Sequence, residues 1–82
     1  MSDSASQLWR IVLATDGRSQ GAYAAALEDV AESISAFESE PGGAWRIEAL
    51  TGAEPDENAI CTLVADVAKA LGMTAPRIEI GP

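Results

Sequence analysis

Residues 35–51 read Ser35-Ala36-Phe37-Glu38-Ser39-Glu40-Pro41-Gly42-Gly43-Ala44-Trp45-Arg46-Ile47-Glu48-Ala49-Leu50-Thr51. Two alternating segments flank one turn. Ser35 to Glu40 reads as a short strand with Phe37 as its large apolar residue. Pro41-Gly42-Gly43-Ala44 interrupts it, and glycines supply the positive φ angles that tight hairpin turns need. Trp45 to Thr51 sets Trp45, Ile47 and Ala49 against Arg46, Glu48 and Leu50, the period of a strand with one buried face. A hairpin at the centre of the chain is therefore expected.

Upstream, Leu8 to Thr15 (LWRIVLAT) is rich in β-branched and aromatic residues and suits a central strand. Asp16-Gly17-Arg18-Ser19 is turn chemistry. From Gln20 to Ile34, Tyr23, Leu27, Val30 and Ile34 recur at helical spacing, with Glu28, Asp29 and Glu32 off the stripe. Downstream, Asp56 is placed to cap a second helix, with Glu57 in its first turn. Ile60, Leu63, Val64, Val67 and Leu71 form that helix's stripe, and Lys69 and Gly72 are stop signals. Arg77-Ile78-Glu79-Ile80 reads as a short last strand.

The expected order is strand, helix, strand, strand, helix, strand. Trp9-Arg10-Ile11 and Trp45-Arg46-Ile47 echo each other at related places in the two halves. Two βαβ halves make an α+β, ferredoxin-like βαββαβ sandwich, its antiparallel sheet ordered 4-1-3-2 with two helices on one face. The expected core is Ile11, Leu13, Leu27, Val30, Phe37, Ile47, Leu63, Val67 and Ile78. Residues 1–7 read as a disordered polar tail and residues 8–82 as one domain.

Composition narrows the function. The chain has 82 residues, 48% of them hydrophobic, which is globular rather than disordered. Five Lys and Arg against thirteen Asp and Glu give a net charge of −8. Such a charge repels phosphate backbones, so no direct nucleic-acid partner is expected, whereas a basic protein is attracted. The N-terminus lacks a signal or transit pattern and no apolar run has membrane-spanning length, so a cytoplasmic location without a membrane partner is expected.

The catalytic inventory is thin. There is no histidine, and Cys61 is the single cysteine. Cys61 lies at the edge of the second helix's stripe and reads as a small packed side chain, with no histidine to activate it. Glu38, Glu40, Glu48 and Glu79 are expected to alternate outward, with Arg10, Arg46 and Arg77 as cross-strand counter-charges. A flat, solvated face gives paired carboxylates no cleft to separate their pKa values. The glycines lack the phosphate-cradle spacing. The expectation is no catalytic, cofactor or metal site in this chain, and a partner-binding face made of Arg10, Glu38, Glu40, Arg46, Glu48, Arg77 and Glu79.

The opening Leu8-Trp9-Arg10-Ile11, the stretch Phe37 to Arg46, and a helix ending Ala70-Leu71-Gly72 before Pro76 together resemble the N-terminal domain of bacterial ribosomal protein L-eleven methyltransferases. The resemblance covers nearly all of the chain after the tail, and Phe37 to Trp45 is its most specific piece. It implies a monomeric, non-catalytic substrate-recognition domain. Such a domain presents the basic ribosomal protein L-eleven to an S-adenosylmethionine-dependent domain absent from these 82 residues. In that family the linker begins about where Gly81-Pro82 falls. The resemblance thus reads the chain either as a domain of a longer enzyme or as a stand-alone relative. The alternative reading is a small-molecule regulatory module similar to ACT domains, with its ligand at Asp16-Gly17.

Overall fold

The computed structural model describes residues 8–82; the tail expected over residues 1–7 lies outside them. The chain forms β1 (Trp9–Asp16), α1 (Gln20–Leu27), β2 (Ser33–Glu38), β3 (Ala44–Thr51), α2 (Glu57–Leu71) and β4 (Ile78–Gly81). The four strands make one antiparallel sheet ordered β2-β3-β1-β4. Counted from its other edge this is 4-1-3-2, the expected order.

Register explains which residues are buried. Ile11 lies opposite Ala49 and Leu13 opposite Ile47, and all four are buried. Ile78 and Ile80 extend this face from β4, opposite Leu13 and Ile11. Tyr23 and Leu27 of α1 and Ile60, Val64 and Ala68 of α2 join the same cluster. Both helices therefore cover one face of the sheet, and the other face is left open.

Three details depart from the sequence reading. Helix α1 ends at Leu27, seven residues before Ile34. The Glu32 N–H already donates to the Leu50 carbonyl at 2.8 Å, so strand pairing captures the chain where helical periodicity would continue. Val30, expected in the core, is left exposed. On α2 the buried line is Ile60, Val64 and Ala68, with Leu63 and Val67 on its flank and Leu71 exposed. Cys61, read as packed, is exposed.

The third departure matters most for function. In β2, Ile34 lies opposite Ala49 and Ala36 opposite Ile47, so the even-numbered residues face the helices. Phe37 lies opposite Arg46 and points to the open side, 43% exposed. The whole strand has the opposite phase from the one expected, because a one-residue change of register exchanges the two faces.

The turns follow local chemistry. The Gly43 N–H donates to the Glu40 carbonyl at 2.9 Å, and Gly42, two residues after Glu40, has φ 71°. With Pro41 before it, that is the residue pattern of a type II turn. At α2, the Asp56 carboxylate accepts from the Asn58 and Ala59 N–H groups at 3.0 and 3.3 Å, and Gly72 closes the helix at φ 70°. Asp56→Ala is expected to cost about 0.5–2 kcal/mol, read from the midpoint of urea unfolding. A change indistinguishable from zero would mean that this cap carries no stability.

Candidate recognition face

The open face is built in rows across the sheet. Ser35, Glu48, Val12 and Glu79 form the middle row, and Ser33, Leu50, Arg10 and Gly81 a second. In a third, Phe37, Arg46 and Ala14 lie side by side. Arg77 precedes β4 and, with Val12, Ala14, Arg46 and Glu79, lines a shallow depression of about 250 Å³. A second depression of about 270 Å³ lies between Arg10, Arg46, Glu79 and Pro82. Arg46 Nε donates to Glu48 Oε2 at 3.0 Å, an ion pair within one strand and open to solvent. Such a pair contributes about 0–1 kcal/mol and leaves its charges available to a partner.

Five of the seven expected partner-binding residues, Arg10, Arg46, Glu48, Arg77 and Glu79, thus share this face. Glu38 and Glu40 do not. Glu38 lies opposite Trp45 on the helix side, and its Oε2 accepts from the Gly42 N–H at 3.0 Å. Glu40 sits in the turn beyond β2. The physical reason is the reversed phase of β2, which turned Phe37 outward and carried Glu38 the other way. Phe37 is the residue of this face that the sequence reading missed. Its signal was its placement opposite Arg46, which only the strand register reveals.

A third concavity lies at the end of the sheet where the β1–α1 turn meets the β2–β3 hairpin. Asp16, Gly17, Arg18, Glu38, Gly42 and Trp45 are among its lining residues, around about 580 Å³. Trp45 lies so close to Gly17 that a Cβ there would come within 2.9 Å of the indole Nε1. The turn itself is tied by Asp16. Its Oδ1 accepts from the Ser19 hydroxyl at 2.7 Å and from the Ser19 and Arg18 N–H groups at 2.9 and 3.1 Å.

Those bonds, the Ser19 hydroxyl first, hold the Asp16 carboxyl below its ordinary 3.8. A carboxylate with a depressed folded pKa stabilises the fold above its unfolded pKa and loses that contribution as pH falls through the folded value. Asp16→Asn is therefore expected to be less stable than the parent at neutral pH, with the gap closing below about pH 3.8. Urea melts at a series of pH values test this. A gap that stays constant would assign Asp16 no charge-dependent role.

Among the described residues, no cluster of His, Cys, Asp and Glu is placed to hold a metal ion, and no helix is long and apolar enough to cross a membrane. What the fold and these surfaces define is a small α+β domain with one uncovered sheet face. No family model, curated protein or solved structure matches the chain.

Proposed function

We propose that this chain is a ferredoxin-like recognition domain, a non-catalytic part of a ribosomal protein methyltransferase system. It binds the basic ribosomal protein L-eleven in the cytoplasm for a separate domain that uses S-adenosylmethionine. The observation that carries the reading is the β2–β3 hairpin. Phe37 to Trp45, the most specific piece of the family resemblance, folds into a hairpin that exposes Glu38 and Glu40 on a chain of net charge −8, with Phe37 turned to the opposite side of the sheet. Surplus negative charge speeds the approach of a basic partner.

Reversing the hairpin charge, Glu38→Lys with Glu40→Lys, is expected to slow association with purified ribosomal protein L-eleven several-fold. The difference should shrink as salt rises, because exposed charges are screened within about 8–10 Å at physiological salt. Stopped-flow rates at low and high salt test it. Absence of binding, or rates unchanged in the variant, would defeat the proposal. S-adenosylmethionine titrated into the chain is expected to release no binding heat, because the sequence has no glycine-rich cofactor motif. Saturable binding would contradict the non-catalytic reading.

One observation favours the ACT-like alternative. The concavity at Gly17 and Trp45 combines a cation, two carboxylates and an aromatic face, which suits a small zwitterion. A ligand-induced rise in melting temperature together with dimerisation would select that reading instead.

A further inference from the structure

Arg10, Arg46 and Arg77 are three of the chain's five Lys and Arg residues, and all three line the depressions of the uncovered sheet face. Glu48 and Glu79 are their acidic neighbours in the rows of that face. A chain of net charge −8 thus carries a local excess of positive charge on the one sheet face that no helix covers. Between Arg46 and Arg77, Val12 and Ala14 give the depression an apolar part beside Ser39 and Glu79, and Phe37 lies opposite Arg46 on the neighbouring strand. Among the described residues only Arg46 of the three has an ion-pair partner, Glu48.

We propose that the uncovered sheet face docks an acidic protein segment that inserts one apolar side chain between Arg46 and Arg77. Charge complementarity selects the occupant. Three arginines against Glu48 and Glu79 leave this face one positive charge in excess, and carboxylates pair with guanidinium groups in two-pronged hydrogen bonds. The depression of about 250 Å³ is smaller than most small-molecule sites but has room for one apolar anchor. Arginines around a small apolar centre are part of the composition of an interface hot spot. A single nucleic-acid strand fits less well, since base stacking needs an aromatic platform. Phe37, on the edge strand, is the one aromatic side chain of this face among the described residues, where a strand of bases would use several. This surface lies on the other side of the sheet from Glu38, an acidic residue of the hairpin proposed for the basic partner.

The test uses the whole chain and a short Glu-rich peptide with one central leucine, followed by amide chemical shifts in NMR titrations. Saturable shifts at Val12, Ala14, Arg46 and Glu79 are expected, weakening with salt. Arg10→Glu with Arg77→Glu should weaken the affinity about tenfold or more. Arg10→Gln with Arg77→Gln, a milder change at exposed positions, should weaken it less while leaving the amide spectrum of the fold intact. The peptide with its leucine replaced by glycine should also bind more weakly. A peptide that does not bind, or binds equally well to both double variants, overturns the proposal. So does a Lys-rich peptide or a single-stranded oligonucleotide that shifts these amides at lower concentration. Binding of ribosomal protein L-eleven is read separately at Glu38 and Glu40, so either inference can fail alone.

Discussion

Ile47→Ala is expected to destabilise the domain by about 2–5 kcal/mol, since it removes a fully buried side chain and leaves a cavity. Ile47 is 0% exposed at the middle of β3, opposite Leu13 on one side and Ala36 on the other. It joins the core between the sheet and both helices. Small domains hold about 0.05–0.15 kcal/mol of stability per residue, so the loss is a large part of the total. Phe37→Ala is the informative control. Phe37 is the larger side chain, yet at 43% exposure it is expected to cost less than about 1 kcal/mol. Urea unfolding of the two variants side by side measures the difference. If Phe37→Ala proved as damaging as Ile47→Ala, Phe37 would face the core and not the open side.

The second large effect runs the other way. Tyr23 is fully buried in the core, and its hydroxyl has no hydrogen-bond partner among the described residues. A buried hydroxyl without a partner carries a desolvation cost of about 1–3 kcal/mol. Burial also pushes the Tyr23 hydroxyl pKa up, as expected where the phenolate is poorly solvated. Tyr23→Phe removes the hydroxyl and keeps the ring, so it is expected to raise stability by up to that amount. For a domain of this size each kcal/mol corresponds to about 4–8 °C in Tm. Calorimetry of the parent and the variant decides it. A lowered Tm would show that the hydroxyl makes a favourable interaction in the folded protein.

The candidate face shows how local patterns and tertiary pairing divide the information. The open-side placement of Arg10, Arg46 and Glu79 is legible within their own strands, because each alternates with isoleucines that face the helices. β2 offered no such anchor. Its apolar residues Ile34, Ala36 and Phe37 fall on both phases, and the largest of them is the one that faces outward. Reading Phe37 as core puts Glu38 and Glu40 on the open face, whereas the register carries Glu38 to the other side and Glu40 lies in the turn beyond the strand.

By itself, the sequence determined the six elements, their order, the hairpin at Pro41-Gly42 and both ends of α2. Each of these rests on local chemistry: a cap, a positive φ, or a run of one period. Only the tertiary structure decided where α1 stops and which way β2 faces. In both cases β3 was the deciding partner. Its Leu50 carbonyl takes the Glu32 N–H and ends the helical reading, and its Ala49 draws Ile34 against the core, while Ala36, opposite Ile47 on the same side, stays exposed. Burial beside a neighbouring strand outweighs the preference of a short segment read alone, because contacts between strands are set by register and not by local spacing.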